Sequence, residues 1–517
     1  MEPSPPASPM THRQILLVLS GLMLGLFLAA LDQTIVATAL PTIAGELGGL
    51  EQLSWVVTAY LLTSTASAPL YGKVSDMYGR KIVFQFAIVT FLVGSVLAGM
   101  SQSMIQLIGF RAIQGLGAGG LIVMAMTIVG DVVSPRERGR YQGYIGSVFA
   151  LASIAGPLLG GFFVDNLTWR WVFYINLPIG LAALFVTATV LDLPFRRVDR
   201  PVDYLGAGLL VGGVTSLLLV TVWGGSQYEW GSPVIIGLSV LAVVLLVLFL
   251  VQERRVEEPI LPLRLFRDRT FAITSSASFI VGLGMFGAIV FLPLFLQVVM
   301  GASATNSGLL LVPLMGGVVT SSIVSGRLIT RTGRYKIYPL VGTTLMTVGL
   351  WLLSTMSPET TLLQASVFMV IFGTGMGLVL QVLVIAVQNA VEARDLGVAT
   401  SSATFFRSLG GSFGTAFLGA VLTSQLTMHL ADLLPAGSDG QLGDLTGSPD
   451  LIAQLPPPIR ETVITAFSES ITTTFAVAIP FVVVALILVF FLPELPLRDT
   501  AHVGASEPEA PIAPIGH

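Results

Sequence analysis

The sequence predicts an all-α polytopic membrane protein with fourteen transmembrane helices, built as two six-helix bundles with two further helices inserted between them. Of the 517 residues, 54% are hydrophobic and only 10% are charged, whereas an ordinary soluble domain carries about 25% charged residues. The mean hydropathy is +0.86, and the apolar residues gather into long runs. Such a chain must present its outer surface to lipid rather than to water.

The composition also excludes several classes of protein. Intrinsic disorder, a secreted disulfide scaffold and a nucleic-acid binder do not fit this charge content, a net charge of −4 and the absence of cysteine. Without cysteine there are no disulfides and no thiolate metal ligands, and we expect no metal site. Expected partners are membrane lipid and small molecules, with no nucleic acid, and the protein is expected to be a monomer.

A membrane-spanning helix needs about 20 largely apolar residues, and helices are the element whose backbone groups are all satisfied within lipid. Fourteen stretches of the sequence meet this requirement, at 14–40, 52–71, 82–100, 105–130, 140–164, 171–191, 203–223, 233–252, 271–299, 305–328, 336–354, 360–388, 397–425 and 471–492.

These spans divide the chain into regions. They are an N-terminal tail at 1–13, a first bundle at 14–191, an inserted pair at 203–252, a second bundle at 271–492 with an outer loop at 426–470, and a disordered C-terminal tail at 499–517.

The basic residues set the orientation. With both termini in the cytoplasm, all 25 Lys and Arg residues lie at cytoplasmic ends or loops except Arg111, Arg170, Arg407 and Arg460. This is the positive-inside rule. A single miscounted span would reverse every later loop, so the even number of spans is well determined.

The two halves carry related loops after their second spans. The first runs from Gly72 to Lys81 and reads G-x-x-x-D-x-x-G-R-K, and the stretch from Gly326 to Lys336 is a degenerate copy with Thr330 in place of Asp76. Internal repeats of this kind are typical of transporters.

With these loops in place, the sequence resembles the fourteen-helix drug–proton antiporter branch of the major facilitator superfamily. The loop at 72–81 resembles motif A of the family, 107–118 resembles motif B, 146–161 resembles the antiporter motif C, and 31–41 resembles the first-helix motif of the branch. The resemblance implies a multi-pass transporter of the plasma (inner) membrane that is not an enzyme. It would export amphipathic, cationic drugs by alternating access, driven by protons without a cofactor.

Charges at bilayer depth cost at least about 2.5–3.5 kcal/mol and require an explanation. Asp32 lies roughly 13 Å below the outer end of the first span, and Arg111 lies roughly 9 Å into the fourth. We therefore expect the two to meet, with Asp32 as the proton-coupling carboxylate and Arg111 tuning it. The alternative is a permanent salt bridge that only joins two helices.

Arg407 lies roughly 15 Å into the thirteenth span, and no acidic residue of the second half lies at that depth. It either lines the cavity or has a structural role.

Residues of the first motif A loop and of the fourth span predict a cytoplasmic latch, formed by Gly72, Asp76, Gly79, Arg80, Lys81 and Asp131. In resembling families this loop closes the cytoplasmic face, and its Asp faces a helix N-terminus, where negative charge is favoured. Alternatively, the basic residues of the loop serve only as a topology signal.

The fifth span contains Gly156, Pro157, Gly160 and Gly161. Proline removes a helical hydrogen bond and kinks the helix, which predicts a hinge or a seal against proton leak. A merely tolerated membrane proline is the alternative.

Polar and aromatic residues in or near the spans are candidates for lining a substrate cavity. They are Gln33, Trp55, Tyr60, Gln114, Asn176, Gln297, Gln381, Phe405 and Arg407.

Two other functions stay open. An exporter of lipid or cell-envelope precursors would use the same scaffold, with lateral openings lined by apolar residues. A membrane enzyme or sensor is a remote alternative, because the sequence has no P-loop and no H-E-x-x-H motif.

Overall fold

The structure is a computed structural model that describes residues 12–47, 52–191, 203–225, 227–302, 309–430 and 456–498. In these ranges the chain is α-helical apart from short turns, two 3-10 segments and one isolated bridge. Twelve of the described helices are long and apolar enough to cross a membrane. The prediction of an all-α polytopic membrane protein is therefore confirmed, while the count of fourteen spans stays a prediction.

The helices follow the predicted spans closely. They are α1 (His12–Leu47), α2 (Leu53–Tyr78), α3 (Arg80–Gly99), α4 (Met104–Val132), α5 (Pro135–Asn166), α6 (Trp171–Val190), α7 (Tyr204–Trp223), α8 (Pro233–Glu253), α9 (Arg269–Val298), α10 (Val312–Thr332), α11 (Ile337–Leu353), α12 (Leu362–Ala390), α13 (Leu396–Leu430) and α14 (Pro457–Phe490).

Two of these helices are not among the twelve. The α2 helix is rich in Ser and Thr, and α11 is only 17 residues long. The α6 helix is interrupted at Ile175, between Trp171–Tyr174 and Asn176–Val190.

The helices on either side extend into the predicted outer loop. Residues 426–430 complete α13, and residues 457–470 are the first turns of α14. The division of the chain at this loop stays a prediction. Residues 431–455 and the predicted tails 1–11 and 499–517 lie outside the described residues.

Helices α1–α6 pack together as one bundle, and α9–α14 pack as another. The cores are aliphatic and aromatic side chains of each bundle, centred on Phe84, Phe91 and Leu121 in the first and on Phe295, Phe372 and Phe475 in the second. Glycines allow the helix axes to approach closely.

The two bundles meet at the helix ends that carry Lys73, Arg80, Arg136, Arg264 and Arg394, which we call the basic end. Two pairs of helices make most of this contact, α2 with α13 and α5 with α10. We call these two contacts the first seam and the second seam.

The inserted pair α7–α8 packs along the first seam. Leu210, Val214 and Leu218 of α7 share an apolar cluster with Ala66 of α2 and Ala403 of α13. The α7 helix therefore contacts both bundles along one flank of the molecule.

Candidate functional site

A fully buried ion pair lies inside the first bundle. Asp32 of α1 accepts from Arg111 Nη1 of α4 at 2.5 Å through Oδ2, and its Oδ1 accepts from Gln114 Nε2 at 2.8 Å and from Asn176 Nδ2 at 2.9 Å. Arg111 and Gln114 are three residues apart and so share one face of α4. Ser95 of α3 accepts from both amides, at 3.1 and 2.9 Å. The structure thus brings Asp32 and Arg111 together, with two amides that we had expected to line a cavity.

The guanidinium of Arg111 is held on its other sides as well. Its Nε donates to the carbonyl of Val56 at 3.2 Å, and its Cζ lies 4.2 Å from the ring centroid of Tyr60 and 5.9 Å from that of Phe173. The Tyr60 hydroxyl donates to the carbonyl of Ala29 at 3.2 Å. Two aromatic faces, a carbonyl and a carboxylate together compensate the buried positive charge.

This arrangement stabilises the ionised carboxylate in the observed conformation. Three donors converge on Asp32, and hydrogen bonds to an ionised acceptor are roughly twice as strong as neutral ones. The carboxylate of Asp32 therefore joins α1 to α4 and α6 through these contacts.

A second ion cluster lies at the basic end, in the predicted latch. Arg80 pairs with Asp76 at 2.5 Å and with Asp131 at 2.6 Å. The Asp76 carboxylate also accepts from the backbone N–H groups of Gly397 and Val398, both at 3.2 Å. These N–H groups belong to the first turn of α13, where the helix dipole favours negative charge. The cluster thus joins the two bundles across the first seam.

Asp76 lies beyond the predicted span 52–71. Burial raises the pKa of its carboxyl group to about 6, although Arg80 acts to lower it. The same carboxylate therefore carries both a buried charge and an inter-bundle contact.

Glycines allow the first seam to close. A Cβ on Gly72 would overlap the Ser401 hydroxyl and would lie 2.6 Å from the carbonyl oxygen of Gly397. Gly79 forms the turn from α2 to α3 with φ +96°, which side chains rarely adopt. Lys81, in contrast, donates to the carbonyl of Ala188, and its place in the latch stays a prediction.

Asp76→Asn is expected to loosen the first seam. The substitution removes the charge that faces the α13 N-terminus and leaves Arg80 with one acidic partner. We expect at least about fivefold faster labelling of a cysteine introduced at Ser401 by a thiol reagent, which corresponds to about 1 kcal/mol. The chain has no native cysteine. The matched control is Thr330→Ala at the equivalent position of the second half, and equal labelling in both variants would contradict the latch.

The second seam has the same packing without the acid. Gly139 and Gly326 face each other so closely that a Cβ on either would overlap the carbonyl of the other. Thr330 replaces the acid, and its carbonyl accepts from Arg136 Nε at 3.2 Å. The carbonyl of Arg498, just after α14, accepts from the Arg136 backbone N–H at 3.4 Å. The two seams are therefore built from related sequences but held by different contacts.

The glycines of the predicted hinge have unequal surroundings. A Cβ on Gly156 would overlap the hydroxyl of Thr34, and one on Gly160 would overlap that of Thr38, both on α1. Gly161 has no atom within 4 Å of such a Cβ. Pro157 lies inside α5, which continues through it. Gly156 and Gly160 thus permit close packing of α5 on α1, and the hinge stays a prediction.

Gly160→Ala is expected to destabilise the protein, because the added methyl group must push α5 away from α1. Overpacking of this kind typically costs about 1–3 kcal/mol. Thermal unfolding in detergent should show a lower Tm for Gly160→Ala and an unchanged Tm for Gly161→Ala, which adds the same group in open space. Equal Tm values would contradict the packing role.

Two of the expected cavity residues make packing contacts, and their place in a cavity stays a prediction. The ring of Trp55 lies 5.0 Å from that of Trp223, edge to face, and thus joins α2 to the inserted α7. Phe405 is buried in the apolar cluster of the first seam.

The remaining four expected cavity residues differ in their exposure. Gln33 is exposed, Gln297 and Arg407 are partly buried, and Gln381 is buried. The Oε1 atom of Gln381 has no hydrogen-bond partner among the described residues. Their roles stay predictions.

Sequence reasoning did not find Ser95 as a site residue, and it indicated Gln388 only as one of the polar groups of the spans. Gln388 of α12 donates to the carbonyl of Met126 at 3.3 Å and to the hydroxyl of Thr400 at 2.9 Å, and it therefore bridges the two bundles. The isolated amide of Gln388 in an apolar helix indicates a polar contact, whereas a single serine in α3 gives no such signal.

Two helical bundles with related sequences, joined in one multi-pass chain, are the architecture of membrane transporters built from internal repeats. The chain belongs to the Major Facilitator Superfamily, whose family model matches residues 22–204 and 204–415.

Its relatives include transporters named for drugs. The chain is 39% identical to the multidrug transporter protein MdtP of Bacillus subtilis, over 95% of this chain and 96% of that protein. It is 44% identical to the uncharacterised MFS-type transporter Rv1877 of Mycobacterium tuberculosis, over 93% of this chain and 70% of that protein. The crystal structure of the human organic anion transporter MFSD10 has the same fold, with a TM-score of 0.64 at 15% identity, over 92% of this chain and 99% of that one.

Proposed function

We propose that this protein exports amphipathic small molecules, including those with a positive charge, in exchange for protons across the plasma membrane. Fourteen helices would cross the membrane, with both termini and the basic end in the cytoplasm. The names of the relatives MdtP and Multidrug resistance protein 3, 39% and 38% identical, support drug export.

The observation that carries the proton coupling is the buried cluster around Asp32. A carboxylate at bilayer depth that is 0% exposed, and that joins helices of one bundle through three donors, is costly as a mere structural element. Replacing such a pair by apolar packing is often neutral or stabilising. A proton that binds Asp32 releases Arg111 and alters the helix contacts, and a cationic compound that approaches the freed site competes with the proton.

The observed conformation is closed at the basic end, which is the cytoplasmic end in the proposed orientation. Cargo would leave from this state, and protonation of Asp32 would accompany the return to a state open to the cytoplasm.

An apolar groove supports a second candidate, export of lipid or cell-envelope precursors. The groove has a volume of about 310 Å³ and lies between α1 and α5, with walls that include Leu16, Met23, Tyr144 and Leu151. Its position on the flank of the first bundle would suit a lipid chain.

Dye accumulation in inverted membrane vesicles tests the proposal. With the protein present, a proton gradient should drive accumulation of the cationic dye rhodamine 123, and a protonophore should abolish it. A fluorescent phospholipid analogue in the same vesicles tests the second candidate. Gradient-dependent movement of the lipid without accumulation of the dye would replace export of amphipathic drugs by export of lipid.

A further inference from the structure

Arg407 is a positive charge near the middle of α13 without a partner. It lies eleven residues after the first residue of α13, Leu396, and thus roughly 16 Å from the basic end. Among the described residues no acidic group and no hydrogen-bond acceptor pairs with its guanidinium, and its side chain is partly exposed. An intramembrane arginine normally pairs or lines a polar cavity. Arg111, in contrast, has a carboxylate, an amide and a carbonyl as partners.

The position of Arg407 on α13 places it toward the space between the bundles. Thr400 and Thr404 precede it by seven and three residues and share its helix face. Thr400 accepts from Gln388, and the Thr404 hydroxyl lies 3.9 Å from the Met126 sulfur of the first bundle. Arg407 therefore lies on the same face of α13 as the contacts that close the basic end, one turn farther from that end.

The charges around this space leave it net positive. Asp32 and Arg111 cancel each other in their ion pair. Helices α9–α13 contain no Asp or Glu, and the other buried acids of the described chain, Asp131, Asp203, Glu253 and Asp395, lie at the basic end. A compound with only a positive charge is repelled by Arg407, whereas a carboxylate is attracted.

We propose that Arg407 binds an anionic group of the cargo, such as a carboxylate, and so selects zwitterionic and anionic amphipathic compounds. The planar guanidinium offers two parallel N–H donors that match a carboxylate. The inference rests on the proposed export function and adds the charge of the cargo to it.

Two dyes that differ only at the carboxyl group test this role. Rhodamine 110 carries a free carboxylate, and rhodamine 123 is its methyl ester. In inverted vesicles under a proton gradient, Arg407→Gln should lower the initial uptake of rhodamine 110 by about tenfold, the fold-change expected for a lost charge-assisted hydrogen bond, with a raised KM. Uptake of rhodamine 123, whose cation is no longer repelled in this variant, should not fall. Arg407→Lys, which keeps the charge, should restore part of the rhodamine 110 uptake.

The control is Arg394→Gln, which removes an exposed cation near the start of the same helix and should affect neither dye. Equal loss of both dyes in Arg407→Gln, or uptake of both at the wild-type rate, would overturn the proposal. Wild-type protein that takes up the ester but not the acid would also overturn it while leaving the export function intact. If the wild type accumulates neither dye, the proposed function itself is wrong.

Discussion

Asp32→Asn is expected to lower proton-driven accumulation of rhodamine 123 by at least about tenfold. Asparagine keeps the size and part of the hydrogen bonding of the carboxylate but cannot exchange a proton. It also leaves Arg111 as an unpaired buried charge, and breaking a buried pair in this way typically costs about 3–5 kcal/mol. A loss of activity in the single variant would thus have two possible causes.

The double variant Asp32→Asn with Arg111→Gln separates them. It removes both charges and should recover most of the Tm that the single variant loses. If Asp32 carries the proton, the double variant still fails to accumulate the dye against its gradient, although downhill movement of the dye continues. If the ion pair only joins two helices, accumulation returns together with stability, and the proton-carrier role of Asp32 is refuted.

Gly326→Ala is expected to abolish transport because it blocks a contact between two helices, not because it removes a charge. The added Cβ would overlap the carbonyl of Gly139, so α5 and α10 could no longer approach at the second seam. Because the added group meets backbone rather than a flexible side chain, the overlap cannot be relieved by a rotamer change. We expect at least about tenfold lower transport, since overpacking of about 1–3 kcal/mol shifts the equilibrium away from the closed basic end.

A cysteine introduced at Ser322, which is buried in α10 near the seam, reports the position of the equilibrium. Its reaction with a thiol reagent supplied from the cytoplasmic side should be faster in Gly326→Ala than in the parent. Gly316→Ala on the same helix is the matched control, because a Cβ there meets no atom within 4 Å. Wild-type transport by Gly326→Ala would show that the second seam need not close.

Much of the fold could be predicted from the sequence because lipid imposes a simple requirement. Long apolar runs must be helices, and the side on which basic residues lie fixes the direction of each. The meeting of Asp32 and Arg111 followed from depth alone, since few deep charges exist and each needs compensation. The prediction that Asp76 faces a helix N-terminus came from the resemblance of its loop to motif A.

Most other contacts between helices could not be predicted from the sequence. Nothing in the spacing of Trp55 and Trp223 indicates that they touch, because the packing position of an inserted helix pair is a tertiary property. The amides Gln114 and Asn176 were expected to line a cavity, yet both donate to Asp32. Depth along a helix can be counted from the sequence, whereas the direction of a side chain around it depends on neighbours that hydropathy does not reveal.

The position of α7–α8 has a mechanical consequence. The stretch that follows the pair is tied to the first bundle by the Lys73–Glu258 ion pair at 2.6 Å and to the second bundle by the Arg264–Asp395 ion pair at 2.7 Å. If the bundles part at their basic end, as the proposed function requires, this stretch can keep only one of its two ion pairs. The pair α7–α8 would then move with one bundle and slide along the other.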